Sequence, residues 1–173
     1  MIGFVVLGRP QPAGSKRAFA VRKGGRLTGA VAVVETAEKR VRPWQALIRD
    51  AALQAMQSQE LLDGALILEV DFYLARPRSH YRTGRHSEQL RDAAPSYPTT
   101  RPDATKLLRG LEDALTGIVW RDDAQIVTQV ARKRYGTPER ADVLVDHAYP
   151  NLSDITPDRQ YLGRLFASTE EEA

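Results

Sequence analysis

Apolar residues along this chain change their spacing several times, and each change marks an element. Ile2 to Leu7 is an apolar run closed by Gly8, Pro10 and Pro12, long enough for a strand and too short for a helix. A Gly/Ser/Lys/Arg loop follows at Gly14 to Arg17. Weak strands are expected at Ala18 to Arg22 and Val31 to Glu35, with the Gly24-Gly25 turn between them. From Arg40 to Gln57, Val41, Trp44, Leu47, Ile48, Ala51, Ala52, Ala55 and Met56 recur at helical spacing with one buried stripe.

Between Leu66 and Leu74 the period drops to two. Leu66, Leu68, Val70, Phe72 and Leu74 share one face, and Glu69, Asp71 and Tyr73 share a face expected to be wet. Residues 76 to 102 hold neither period and carry many arginines and prolines, which predicts a long mobile loop. A second helix is expected from Ala104 to Thr116. Leu107, Leu108, Leu111, Ala114, Leu115 and Ile118 form its stripe, Gly117 closes it, and Asp103 stands at the N-cap position. Alternation returns in Gln125 to Arg134, and Val143 to Val145 supply a short strand.

Strands interleaved with two helices predict an α+β fold, a small mixed sheet in a single domain over residues 1–150, with a peripheral tail over 151–173. A chain of 173 residues is long enough for one sizeable core and too short for two ordinary ones. Cysteine is absent, and His80, His86 and His147 lack zinc-ligand spacing, so any metal must be held mainly by oxygen. No basic-then-apolar leader and no apolar run of roughly 20 residues is present, which implies no membrane partner and a soluble, cytoplasmic protein. Gly8, Gly14 and Gly24 do not fall into a nucleotide-binding spacing, so no nucleotide cofactor is expected.

The net charge of +3 conceals an asymmetry. Residues 1 to 42 carry nine Lys/Arg against two Glu, and residues 76 to 110 carry eight against three acids, so the remaining residues are acidic. Two basic stretches on an acidic background point to a face that binds a polyanion. Solvated surface is the plainer reading of the same charges.

Acidic residues stand at element ends: Asp103 where a loop enters a helix, Asp122-Asp123 where a turn enters a strand. Carboxylates held this way suit a hard cation such as Mg²⁺, which takes oxygen ligands and keeps several waters. Without that context, Asp103 reads as a helix cap and Asp122-Asp123 as a solvated turn.

The stretch Arg101-Pro-Asp-Ala-Thr-Lys-Leu-Leu-Arg-Gly-Leu-Glu-Asp-Ala-Leu115, followed by Trp120-Arg-Asp-Asp-Ala-Gln-Ile-Val127, resembles the signature of the RusA-type crossover-junction endodeoxyribonucleases. That signature runs Lys/Arg-Pro-Asp-x-Asp-Asn-Leu, then a Lys four residues after the second Asp, Asp-Ala-Leu, and a later Asp-Asp-x-Gln. Leu7-Gly-Arg-Pro, Gly14-Ser-Lys-Arg17, Arg76-Pro-Arg-Ser-His80 and Ala94-Pro95 are similar to phage-borne members, and the likeness covers most of residues 4 to 147. It implies a Mg²⁺- or Mn²⁺-dependent homodimer that hydrolyses branched DNA such as Holliday junctions in paired cuts. It places Asp103 and Asp123 at the metal as catalytic ligands, with Asp122 the first of the later acidic pair.

Two departures accompany the likeness. Thr105 occupies the place of the second Asp, and Arg109 that of the Lys. Arg109 keeps the charge, so it can neutralise a phosphate in the transition state without donating a proton. Thr105, Arg109 and Glu112 share one helical face, which makes Glu112 the candidate for the missing carboxylate, ahead of Glu69 and Asp71. The phosphate contacts are expected from Lys16, Arg17, Arg76, Arg78, Arg82, Arg85, Arg101 and Lys106. The rival class is a branched-DNA-binding protein of the same fold with weak or no cleavage, and a purely structural module ranks behind both.

Overall fold

A computed structural model describes residues 1–14, 16–35 and 38–148. Four strands, β1 (Ile2–Leu7), β4 (Leu66–Leu74), β5 (Ile126–Tyr135) and β6 (Arg140–His147), form one mixed sheet in the order β1-β6-β4-β5. Its β1/β6 and β6/β4 pairs are antiparallel and its β4/β5 pair is parallel. Two further strands, β2 (Lys16–Lys23) and β3 (Arg26–Glu35), pair only with each other. The helices are α1 (Glu38–Met56) and α2 (Ala104–Leu115). This is the expected α+β arrangement, and the tail expected from Asn151 lies outside the described residues.

Both helices lie on one face of the four-stranded sheet, α1 over β1 and α2 over β5, in mutual contact. The stripe Val41, Trp44, Ile48, Ala52 and Met56 of α1 meets Leu107, Leu111, Ala114 and Leu115 of α2 and the inward residues Leu66, Leu68, Val70 and Phe72 of β4. Each of the larger aliphatic and aromatic side chains buried here contributes about 1.5–3 kcal/mol, so this core fixes where the ends of α2 stand. Trp120, fully buried after α2, carries the same core into the turn that bears the acidic pair.

The strand ends extend beyond the sequence expectation in β6, and Lys16 and Arg17 lie in β2 instead of a loop. Larger is the difference on the sheet's other face. Cross-strand registers align Leu7, Arg140, Tyr73 and Arg134 in one row, and Val5, Asp142, Asp71 and Arg132 in the next. Asp71 and Asp142 are 5% and 3% exposed, so the face expected to be wet is covered. Arginines provide the cover: Arg134 Nε lies 3.1 Å from Asp71, Arg140 Nε lies 2.9 Å from Asp142, and Arg132 donates two 3.0 Å bonds to Glu69. Period-two alternation cannot distinguish a solvated acid from one roofed by long cationic stems.

The 76–102 segment also departs from expectation. It is irregular, with two short 3-10 turns at Arg78–His80 and Gly84–His86, yet it is pinned along its length. Arg76 stacks 4.0 Å over the Tyr135 ring and donates to Pro95 O at 2.7 Å, Arg91 donates to Tyr81 O, and Lys133 donates to Thr100 O and Pro102 O. These bonds satisfy backbone carbonyls that no helix or strand would satisfy.

Candidate metal centre and cationic cleft

Asp103 occupies the N-cap position of α2 but makes no side-chain cap bond. The capping bond is therefore not made, and the Asp103 carboxylate is exposed and lies 3.5 Å from Lys106 Nζ. It opens into a cleft of about 550 Å³ whose wall includes Arg9, Arg40, Arg101 and Lys106. Four cationic side chains line this cleft against two acids, Asp103 and Glu139, which favours a polyanion.

One wall exists because of a glycine. The strap of residues 9–13 lies against α2 at Gly110, where a Cβ would meet Ala13 N at 3.3 Å and Gln11 O at 3.4 Å. Ala13 N donates to Lys106 O at 2.8 Å, and Gln45 Nε2 donates to Gly110 O at 3.2 Å. The strap brings Arg9 to the cleft, and the Lys133 bonds to Thr100 and Pro102 hold the segment that enters α2.

At the other end of α2, Asp123 is oriented by two donors. Thr116 Oγ1 donates to its Oδ1 in a short bond, and Trp120 Nε1 donates to the same oxygen at 2.8 Å. Asp122 instead caps the turn Asp123–Gln125, its Oδ1 accepting from Ala124 N at 2.8 Å. Gln125 completes the corner: Oε1 accepts from Arg121 N and Asp122 N, while Nε2 donates to Leu62 O and Gly64 O. This is a physical role for the Gln of the Asp-Asp-x-Gln pattern.

Glu112, half-buried on α2, accepts a short bond from Gln129 of β5. Burial pushes its carboxyl up to about 7, and the charges of Asp123 and then Asp113 add to that rise. Neighbouring carboxylates of this kind suit a hard cation.

The structure thus brings Glu112 to Asp123 and separates both from Asp103. Helix α2 has 12 residues, so at about 1.5 Å per residue its ends lie roughly 18 Å apart. Two carboxylate oxygens on one Mg²⁺ lie within about 4 Å of each other. Among the described residues no group of three or more acidic or histidine side chains is close enough to hold a metal, so the four-residue set Asp103, Asp122, Asp123 and Glu112 is not assembled within one chain. Thr105 and Arg109 are exposed on α2 between the two ends.

The expected phosphate contacts divide. Arg101 and Lys106 line the cleft. Arg78 and Arg85 are exposed on the 76–102 segment, Arg82 pairs with Asp92 at 2.8 Å, and Arg76 is held by Tyr135 and Pro95. The side chains of Lys16 and Arg17 lie outside the described residues. Arg9, Arg40, Thr116, Trp120 and Gln129 were not singled out by sequence. Two of these carried a signal: Trp120, three residues before Asp123 in the matched stretch, and Arg9, within the Leu7-Gly-Arg-Pro motif.

Comparison with known proteins gives the family of the chain. The family model for endodeoxyribonuclease RusA matches residues 10–146. The chain belongs to the RusA family. The chain is also similar to "Uncharacterized protein YqaN" of Bacillus subtilis (strain 168), 26% identical over 87 residues. That alignment covers 50% of this chain and 61% of the relative, so the chain spans less than two thirds of the curated relative it matches.

Proposed function

We propose that this RusA-family protein is a divalent-metal-dependent endodeoxyribonuclease that resolves branched DNA, such as Holliday junctions, as a homodimer acting in the cytoplasm. The observation that carries the reading is Asp103 standing in a cleft walled by Arg9, Arg40, Arg101 and Lys106. A carboxylate among cations is where a phosphodiester and a metal ion would meet. The all-oxygen donors Asp103, Asp123 and Glu112 fit Mg²⁺ or Mn²⁺, whereas Asp122 is engaged in its turn. Bound there, such an ion supplies an activated water and neutralises charge on the scissile phosphate.

The remaining roles belong to side chains. Thr116 and Trp120 both act on Asp123 Oδ1, which fixes the carboxylate plane and leaves Oδ2 for other partners. Arg109 neutralises phosphate charge, and Arg101 and Lys106 hold the backbone beside the cut. The distance between the ends of α2 supports a site shared by two protomers. A twofold axis crossing α2 brings the Asp103 end of one helix to the Asp123 end of its mate.

The test is incubation with a synthetic four-way junction and a matched linear duplex, with and without Mg²⁺. Symmetric, Mg²⁺-dependent nicks in the junction alone are expected. Junction binding without cleavage in Mg²⁺ or Mn²⁺ would favour the binding-only reading that Thr105 raises, and equal affinity for both DNAs would sink the junction assignment.

A further inference from the structure

We propose that the β2–β3 hairpin is a DNA-binding arm that lies in the major groove of one duplex arm of the substrate, with Arg22, Lys23 and Arg26 contacting phosphates. This rests on the branched-DNA reading for its substrate and adds a contact outside the cleft.

Among the described residues the hairpin pairs with no strand of the main sheet. Its strands belong to a separate two-stranded sheet, and from Ala18 to Ala32 every side chain is exposed except the half-buried Val21 and Ala32. Phe19, Leu27 and Val31 are 53%, 62% and 64% exposed. An isolated two-stranded hairpin is only marginally stable in water, so a ribbon of this kind is best explained by a partner that it meets outside the fold.

Charge identifies that partner. From Lys16 to Val34 the sequence holds five Lys/Arg and no Asp or Glu. Three of the cations crowd the tip, where Arg22 pairs with Leu27 and Lys23 with Arg26 around Gly24-Gly25. Those glycines have φ of 59° and 80°, the paired left-handed conformation of a tight two-residue turn, and nothing lies within 4 Å of a Cβ built on either. The tip is a narrow cationic finger in open space.

Its dimensions select the groove. Strands about 4.8 Å apart with their side chains fit a major groove about 12 Å wide, and not a minor groove of about 6 Å. The eight residues of β2 span roughly 26 Å at about 3.3 Å per residue, most of a helical turn of duplex. The ribbon is also bent. Opposite Val21 the register shifts between Ala20 and Arg22, Gly29 has φ 75°, and Thr28 Oγ1 donates to Val21 O at 2.9 Å. Its root lies at the cleft, because Ala13, just ahead of it, is bonded to Lys106 of α2. A duplex seated by Asp103 therefore continues past the hairpin.

The test is fluorescence anisotropy of the full chain with a four-way junction and a linear duplex over a salt series, combined with dimethyl sulfate footprinting of guanine N7 in the major groove. The variant R22A/K23A/R26A should lower the slope of log K against log salt by about 2 to 3, from about 0.9 per lost phosphate contact, and erase N7 protection in one arm. The charge-preserving variant R22K/K23R/R26K should keep the wild-type slope. An unchanged slope or unchanged N7 protection in the alanine variant overturns the proposal. So does tip-dependent binding to anionic phospholipid vesicles with an unchanged DNA slope. A tip-dependent slope without preference for the junction overturns the junction reading and leaves the hairpin assignment standing. Normal junction cleavage with a tip-independent slope does the reverse.

Discussion

The indole of Trp120 donates from Nε1 to Asp123 Oδ1 at 2.8 Å, tying a fully buried core residue to an exposed acid. The core thereby sets the direction of a carboxylate that propensity would leave free in a turn. Trp120→Phe keeps most of the buried ring and removes this donor. Partners that orient a metal ligand are typically worth 10- to 100-fold, so kcat on a four-way junction should fall by about that factor, with a higher Mg²⁺ half-saturation and little change in junction Kd. Equal loss after Trp120→Phe in both kcat and junction affinity would point to misfolding of the corner instead.

Glu112 gives stability a pH dependence whose sign follows from its raised pKa. Below about 4.5 the carboxyl is neutral in folded and unfolded chains alike, and above about 7 it is charged in both. The folded state alone bears the cost of placing that charge in a half-buried position beside Asp123, so metal-free stability falls as pH rises through this window. Glu112→Gln, neutral throughout, should be more stable than wild type by about 1 kcal/mol at pH 8 once solvent screening is allowed for, with the gain gone near pH 4.5. Urea midpoints at the two pH values check this. A variant no more stable than wild type at pH 8 would show that the charge costs the fold nothing.

The elements that sequence predicted well are those whose burial is set by their own spacing. The stripes Val41 to Met56 and Leu107 to Leu115 and the alternation Leu66 to Leu74 face the core as expected, apart from Leu47, which is 46% exposed. Asp103 and Asp123 are singled out by resemblance alone, and their placement at helix and turn ends is legible from neighbouring residues. The distance between them was not, because motif order says which residues matter and nothing about which ends of α2 they occupy in space. Asp71 was misread for a related reason: its cover comes from Arg132 and Arg134, remote in sequence and visible only in the strand register.

Gly110 offers a test of how the cleft wall is held. A Cβ there already approaches the backbone of Gln11 and Ala13 at 3.4 and 3.3 Å, so the branched side chain in Gly110→Val must displace the strap. Overpacking of this kind costs about 1–3 kcal/mol. The displaced strap also carries Arg9 out of the cleft and breaks the Ala13–Lys106 bond. Lower thermal stability together with weaker junction binding is expected, measured by calorimetry and anisotropy. Reduced stability with unaltered affinity would remove the strap from the DNA-binding surface.

The separation of Asp103 from Asp123 makes its own prediction about mixed dimers. If one site takes Asp103 from one protomer and Asp123 from its mate, Asp103→Asn and Asp123→Asn homodimers each lack a ligand in both sites. Mixing the two variants, with exchange of subunits, produces heterodimers in which one site carries both substitutions and the other carries neither. That second site is wild type in every ligand, so the mixture should nick junctions where neither parent does, leaving single-strand nicks in place of paired cuts. Each parent should still bind the junction, since removing a negative charge does not weaken phosphate contacts. A site built within one protomer gives no such recovery, because every subunit in the mixture then carries a damaged site. Inactive mixtures in which subunit exchange is verified by mass spectrometry would therefore overturn the shared site, and require α2 to rearrange before one chain could gather its own ligands.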